Sequence, residues 1–161
     1  MKIKKNIKNY VVNLCKQAKV ASQEISCANE NKKNNVLKSL IKNINNSRDA
    51  IIVSNSKDVE NLKSSKNFTE SFVDRLLIDN ERIDSIIASL EEVIIIKDPV
   101  GEIKNLETMP SGIKVGKMAM PLGVIAMIYE SRPNVTVDAS ALCIKSGNSI
   151  ILRGGTESIN T

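Results

Sequence analysis

Two short polar stretches in the last third of the chain carry side chains that could act on a charged ligand. Residues 130–134 read ESRPN, residues 153–155 read RGG, and each stretch follows an apolar run. Arginine suits phosphate because its planar guanidinium donates several hydrogen bonds at once. The side-chain amide of Asn134 could donate to an oxygen that gains negative charge during a reaction. These residues indicate a site for a phosphorylated ligand or a nucleotide.

Each of these residues also has a simple structural interpretation. Asn134, or Thr136 two residues later, is typical of a helix N-cap. Gly154 and Gly155 could serve only to turn the chain, and Arg153 could be an ordinary surface arginine. The GxGxxG fingerprint of many dinucleotide sites is absent. The residues alone therefore predict a nucleotide or phosphate crevice and do not identify the ligand.

The elements around these stretches predict how they are positioned. Apolar runs at 122–129 and 149–152 are typical of strands buried on both faces of a parallel sheet. Between them, 134–146 reads as a helix with Asp138 in its positive first turn, and Gly147 suits the left-handed position that ends it. A strand, a helix and a second strand form the crossover unit of doubly wound sheets, which bind ligands beyond the carboxyl ends of their strands. The two polar stretches should therefore form neighbouring rims of one crevice.

The first 98 residues have a different composition, because every glycine and every proline of the chain lies after Asp98. Apolar residues there recur every three or four positions, which predicts five helices. Ser47 and Asp79 are the expected caps of the third and fifth helices, and Thr69 is expected to belong to the short fourth.

Three regions follow from this pattern. Residues 1–98 form a helical part of the cofactor-binding domain. Residues 99–121 form a turn and a β arm, with an exposed ribbon over 113–120 that bends at Gly116. Residues 122–161 begin a Rossmann-like parallel sheet, and Thr156 to Ser158 read as the start of a further helix. The expected fold class is α/β.

Composition excludes several classes of function. The chain has no histidine, so neither a catalytic triad that needs imidazole nor a mixed Cys/His zinc site can form. The three cysteines have no metal-ligand spacing, and no site for a metal is expected. No apolar run approaches the roughly 20 residues that span a bilayer, and no apolar signal core follows the basic start. We therefore expect a cytoplasmic protein without a membrane partner.

The net charge of +5 raises the question of a nucleic-acid partner. The lysines are scattered among acidic residues, and an aromatic content of 2% leaves little to stack on bases. A solvated basic surface is favoured, and no nucleic-acid partner is expected.

Longer stretches of the chain carry a resemblance to a known family. The sequence YESRPNVTVDA at 129–139, followed by KSGNSIILRGG at 145–155, resembles the signature region of the γ-glutamyl phosphate reductases, within the aldehyde dehydrogenase superfamily. SRDAIIVSNSKDVENLK at 47–63 and DPVGEI at 98–103 are similar to the same family, in the same order. The resemblance covers nearly the whole chain.

The resemblance implies a reaction and roles for individual residues. The reaction is the NADPH-dependent reduction of L-glutamyl 5-phosphate to L-glutamate 5-semialdehyde, with release of phosphate, in proline biosynthesis. Asn134 would support the oxyanion, and Arg132 is a candidate for the phosphate or carboxylate of the substrate. An arginine at the adenosine ribose suits the 2′-phosphate of NADP. Four residues would line that end of the cofactor: Arg153, Gly154, Gly155 and Glu157.

The same resemblance implies a longer enzyme. Family members continue well past the position of Thr161 and supply a nucleophilic cysteine there, so the fold is expected to be truncated in this chain. Cys15 and Cys27 lie far upstream of the family's active-site segment, and Cys143 lies about two and a half helical turns beyond Asn134. We therefore expect this N-terminal fragment to lack reductase activity by itself. The full-length enzyme is expected to be a homo-oligomer that pairs through the β arm.

Other functions stay open at this point. The chain could be a non-catalytic fragment that associates with an intact homologous subunit. It could also derive from another acyl reductase of the aldehyde dehydrogenase type. A small basic nucleic-acid binder is the third alternative, and the scattered charge argues against it.

Overall fold

The computed structural model describes residues 2–65 and 69–161. The first half contains the five predicted helices, with an α/β unit after them. The helices are α1 (Lys2–Ser26), α2 (Glu30–Asn46), α3 (Arg48–Lys63), α4 (Glu70–Leu76) and α5 (Asn80–Ile95). Met1 and residues 66–68, which belong to the region predicted to be helical, lie outside the described residues.

One of the two caps predicted in the first half, Asp79, is confirmed, and Thr69 is a cap that was not predicted. The Thr69 side chain accepts a hydrogen bond from the N–H of Phe72, and Asp79 accepts one from the N–H of Arg82. The prediction for Ser47 was wrong, because its side chain makes no capping hydrogen bond. Ser47 is shared by the end of α2 and the start of α3, and its φ of −103° and ψ of 8° are not the extended conformation that a capping side chain needs.

The main hydrophobic core lies between α2, α5 and the helix of the α/β unit. Its most buried members are Leu37, Ile83, Leu90 and Ala141. Two lysines are buried beside it and are paired. Lys33 Nζ lies 2.7 Å from Asp98, and Lys145 Nζ contacts Glu30 at 3.2 Å and the Asn34 side-chain oxygen at 2.8 Å. These pairs tie α2 to the segment that follows α5 and to the later helix.

An exposed β-hairpin follows the helices. Strands β1 (Ile103–Thr108) and β2 (Lys114–Met118) pair antiparallel. The ribbon was predicted over 113–120, whereas its partner strand β1 was missed. The predicted bend at Gly116 was wrong, since the irregularity lies in β1 between Lys104 and Glu107, where Asn105 has a φ of 53°. Gly116 instead allows close pairing, because a Cβ there would lie 3.1 Å from Ile103.

The α/β unit consists of β3 (Val124–Ile128), α6 (Asn134–Lys145) and β4 (Ser149–Arg153). β3 and β4 are adjacent and parallel, with Val124 opposite Ser149 and Ile128 opposite Arg153. Gly147 has the expected left-handed φ, 74°. A short 3₁₀ turn over Thr156–Ser158 stands where a further helix was predicted to begin.

The strands were predicted to be buried on both faces, which was wrong. β4 is half-buried up to Leu152, and exposure along β3 rises to 74% at Ile128. In the described part of the chain this sheet has only the strands β3 and β4. A sheet this narrow leaves much of β3 exposed to solvent. α1 contacts both strands, and the Ser149 hydroxyl donates to the carbonyl of Ala18 at 2.8 Å.

Candidate functional site

The carboxyl ends of β3 and β4 lie side by side, as the sequence predicts. The last residues of the two strands face each other in the register, and the N–H of Tyr129 donates to the carbonyl of Arg153 at 3.1 Å. The turn over 130–133 and the loop over 154–155 therefore leave the sheet at the same edge.

A carboxylate joins these two segments. Glu157 Oε1 accepts a hydrogen bond from the N–H of Ser131 at 2.7 Å and one from its hydroxyl at 3.3 Å. Ser131 is 3% exposed and has a φ of 50°, which is the left-handed region. Sequence reasoning missed this contact, because nothing in the spacing of residues 131 and 157 indicates it. The assignment of Glu157 to the adenosine end stays a prediction.

Asn134 does not act as a cap. It is the first residue of α6, Pro133 occupies the cap position in helical conformation, and the described structure shows no side-chain capping hydrogen bond there. The Asn134 amide nitrogen donates to Asp138 Oδ2 at 3.0 Å. Asp138 was predicted in the first turn of α6, which was wrong, because it lies beyond that turn. Its Oδ1 is buried and has no hydrogen-bond partner among the described residues. Because an ionised carboxylate only accepts, this contact fixes the amide with its nitrogen toward Asp138.

Asn134 and Asp138 line a cavity of about 340 Å³ between the start of α6 and the helices α4 and α5. Three arginines contribute to its wall: Arg75, Arg82 and Arg132. Arg82 is paired with Asp74 at 2.5 Å, and Arg132 is exposed. The carboxylates of Asp74 and Asp138 line the cavity as well. The groups that suit a small anionic molecule are therefore the guanidinium groups of Arg75 and Arg132, which make no ion pair with the described residues.

A second cavity, of about 430 Å³, lies on the side of the loop after β4. Gly154, Gly155 and Thr156 line it together with Tyr129, and apolar side chains such as Ile83 form its floor. The Tyr129 and Thr136 hydroxyls lie 2.5 Å apart in its wall. The two predicted rims thus open into two neighbouring cavities, which share Ile78 and Ile86 as lining residues.

Arg153 lies at the end of β4 and lines neither cavity. Its side chain is exposed and makes no hydrogen bond or ion pair with the described residues. An exposed guanidinium beside two glycines can receive a phosphate without breaking an existing contact.

The three cysteines lie away from both cavities. Cys15 and Cys27 are exposed, whereas Cys143 is 6% exposed. Burial raises the pKa of the Cys143 thiol, which disfavours the reactive thiolate. Within residues 2–65 and 69–161, no group of His, Cys, Asp or Glu side chains is arranged to hold a metal ion. In the same ranges, no helix combines the length and the apolar character needed to span a bilayer.

Comparisons with known proteins agree with the sequence resemblance. No protein-family model matches the chain. Over 156 residues it is 49% identical to the γ-glutamyl phosphate reductase of Ruthia magnifica and 47% identical to that of Clostridium novyi. Each match covers 97% of this chain and 37% of the relative. The chain therefore spans about 37% of the length of these curated relatives.

Solved structures give the same result. The γ-glutamyl phosphate reductase of Thermotoga maritima superposes with a TM-score of 0.87 at 38% identity, over 92% of this chain and 36% of that one. The Saccharomyces cerevisiae reductase also has a TM-score of 0.87, at 29% identity, over 92% of this chain and 38% of that one. A Bacillus subtilis structure of aldehyde dehydrogenase type, at 20% identity and a TM-score of 0.65 over 88% of this chain and 29% of that one, shares the fold.

The helical layer and the β3–α6–β4 unit therefore have the fold of aldehyde dehydrogenase-type enzymes. Within that class, the resemblance of this chain to the γ-glutamyl phosphate reductases is confirmed in sequence and in structure.

Proposed function

We propose that this chain is part of an enzyme that reduces L-glutamyl 5-phosphate to L-glutamate 5-semialdehyde and releases phosphate, with NADPH as the hydride donor. The observation that carries the proposal is the parallel pairing of β3 and β4 in a chain whose relatives are named γ-glutamyl phosphate reductases. That pairing brings the segment of Asn134 and the segment of Arg153 to one edge of the sheet.

The residues after β4 fit a phosphorylated dinucleotide. The Arg153 guanidinium is exposed and has no bonded partner among the described side chains. Gly154 lets a ligand approach the backbone closely, and both Gly154 and Gly155 line the 430 Å³ cavity. In this proposal Arg153, Gly154 and Gly155 hold the adenosine end, and the charge of Arg153 favours NADP over NAD. When bound, the cofactor supplies hydride to the acyl carbon.

The residues after β3 fit the acyl phosphate. Asn134 keeps one amide N–H bonded to Asp138, so its second N–H can donate to the oxygen that becomes negative as the acyl carbon is attacked. Arg132 is exposed at the mouth of the 340 Å³ cavity and can pair with the phosphate or the carboxylate of the substrate.

The nucleophile is not supplied by the described site. Two cysteines are exposed on α1 or just after it, and the buried Cys143 has a raised pKa. We therefore propose that the 161-residue chain does not turn over by itself, and that the nucleophile of the enzyme comes from another segment. The proposal also places the enzyme in the cytoplasm as a homo-oligomer that pairs through the β1–β2 hairpin.

The test uses a chimera in which residues 1–161 replace the matching segment of the Thermotoga maritima reductase. NADPH formation from NADP⁺, glutamate 5-semialdehyde and phosphate is followed by absorbance, since an enzyme catalyses its reaction in both directions. We expect phosphate-dependent turnover by the chimera and none by the unfused chain. A folded chimera without turnover, or turnover by the unfused chain, would contradict the proposal.

A further inference from the structure

We infer that Glu157 is a positioning residue, which holds the turn that carries Arg132 and Asn134 and acts through Ser131 rather than through the cofactor. The inference rests on the proposed function and deepens it. The Glu157 carboxylate bonds both the N–H and the hydroxyl of Ser131, at 2.7 and 3.3 Å.

The turn needs such a partner because of its backbone conformation. Ser131 has a φ of 50°, which is unfavourable for a residue with a side chain and persists only where surrounding contacts hold it. Ser131 is also buried, so its N–H would be left without a partner if the carboxylate were absent. The contact thus fixes the peptide between Glu130 and Ser131, one residue before Arg132.

The neighbouring Gly155 makes room for this position of the Glu157 carboxylate. Its φ of −74° and ψ of 167° are allowed for any residue, so its backbone does not require glycine. A Cβ at this position would instead collide with the carboxylate of Glu157. The absence of a side chain at Gly155 therefore makes room for the carboxylate to fold back toward Ser131.

The contact connects two segments with different proposed roles. Arg132 and Asn134 line the cavity proposed for the substrate, and the loop from Gly154 to Thr156 lines the cavity proposed for the cofactor. If Glu157 instead bound the adenosine ribose, its loss would weaken cofactor binding and leave the substrate turn in place. Kinetics separates these two roles.

The experiment compares Glu157→Ala, Glu157→Gln, Gly155→Ala and the double variant Glu157→Ala/Gly155→Ala in the chimera. Glu130→Gln, an exposed carboxylate on the same turn, is the matched control. We expect Glu157→Ala and Gly155→Ala each to lower kcat roughly tenfold or more, as the loss of a hydrogen bond to a charged group implies. In Glu157→Ala, KM for NADP⁺ should stay unchanged, and Glu157→Gln should retain most of kcat because its amide oxygen still accepts.

The double variant gives the sharpest result. Each single change removes the same contact between Glu157 and Ser131, so the double variant should be no slower than the slower single variant. If the two changes acted independently, their effects on kcat would multiply. Multiplying effects, a raised KM for NADP⁺ with an unchanged kcat in Glu157→Ala, or a Glu157→Gln variant as slow as Glu157→Ala would each overturn the inference.

Amide hydrogen exchange at Ser131 provides a readout that does not depend on activity. Exchange should be faster in Glu157→Ala and in Gly155→Ala than in the parent and the Glu130→Gln control. Unchanged exchange at Ser131 would overturn the inference even where kcat falls. An inactive parent chimera would contradict the proposed function itself, and the exchange rates would still show whether Glu157 holds the turn.

Discussion

At the scale of single residues, Asn134 illustrates how a neighbour can decide the use of a side chain. A helix start with asparagine is typical of a cap, yet Pro133 takes the cap position and Asp138 takes one amide N–H. The carboxylate is an acceptor only, so it sets the orientation of the amide at the wall of the cavity. This orientation is what the proposed oxyanion contact requires.

The proposed role of Arg153 predicts a change in cofactor preference. In the chimera, Arg153→Gln should raise KM for NADP⁺ and leave KM for NAD⁺ nearly unchanged, because the lost charge faces only the 2′-phosphate. One charge-assisted contact corresponds to roughly a tenfold change or more. Steady-state kinetics with both cofactors measures the ratio of KM for NADP⁺ to KM for NAD⁺.

Arg132→Gln is the matched control for this experiment, since it removes the same charge from the other rim. It should raise KM for phosphate or for glutamate 5-semialdehyde, and leave KM for NADP⁺ and KM for NAD⁺ unchanged. If Arg153→Gln left the ratio of KM for NADP⁺ to KM for NAD⁺ unaltered, the proposed contact of Arg153 with the 2′-phosphate would be contradicted.

At the scale of the elements, the buried pair of Lys33 and Asp98 links α2 to the segment after α5. Burial raises the pKa of Asp98, but the hydrogen bonds from Lys33 and from the N–H of Val100, together with the charges of Lys33 and Lys145, outweigh it. The pKa of Asp98 is therefore lower in the folded chain than its ordinary value of 3.8. Its contribution to stability is present above that value and is lost as the pH falls below it.

Asp98→Asn should destabilise the fold at neutral pH by about 3 kcal/mol, because it leaves the fully buried Lys33 without a counter-charge. The variant should also lose part of the dependence of stability on pH below 3.8. Urea unfolding followed by far-UV circular dichroism, repeated over a series of pH values, measures both effects.

Asp84→Asn breaks the exposed pair with Arg48 and serves as the control, with an expected cost below about 1 kcal/mol. If Asp98→Asn cost no more than this control, the buried pair would not have the stabilising role given to it.

The elements also show what the sequence could predict. Apolar periodicity and the capping residue Asp79 are local signals, and the helices they predict are present. The contacts of Glu157 with Ser131 and of Lys145 with Glu30 join residues 26 and 115 positions apart, so no local pattern reports them. β1 was missed because its residues are exposed throughout and carry no alternation. The burial of β3 was overestimated because an apolar run does not reveal how many strands flank it.

At the scale of the whole molecule, the described residues expose apolar surface at the hairpin. Six of its large apolar side chains are exposed: Ile103, Leu106, Met109, Ile113, Val115 and Met118. Contiguous exposed apolar surface is typical of an interface. This surface agrees with the proposed pairing of subunits through the hairpin.

Val115→Asp in the chimera should therefore shift the assembly toward smaller species, because it places a charge in the proposed interface. Light scattering coupled to size exclusion measures the molar mass, and circular dichroism should show an unchanged fold. Glu91→Lys, an exposed charge change on α5, should leave the mass unchanged. A Val115→Asp variant with the molar mass of the parent would contradict the proposed role of the hairpin.

The central claim is that the edge formed by β3 and β4 serves the reduction of the acyl phosphate, with Asn134 supporting the developing oxyanion. The most direct test is kcat of the Asn134→Ala chimera in phosphate-dependent NADPH formation, beside Asn35→Ala on the exposed face of α2 as the control. The account predicts that Asn134→Ala lowers kcat by roughly a hundredfold or more, while KM for the cofactor and the activity of the control stay close to those of the parent. An Asn134→Ala chimera with the kcat of the parent would contradict it.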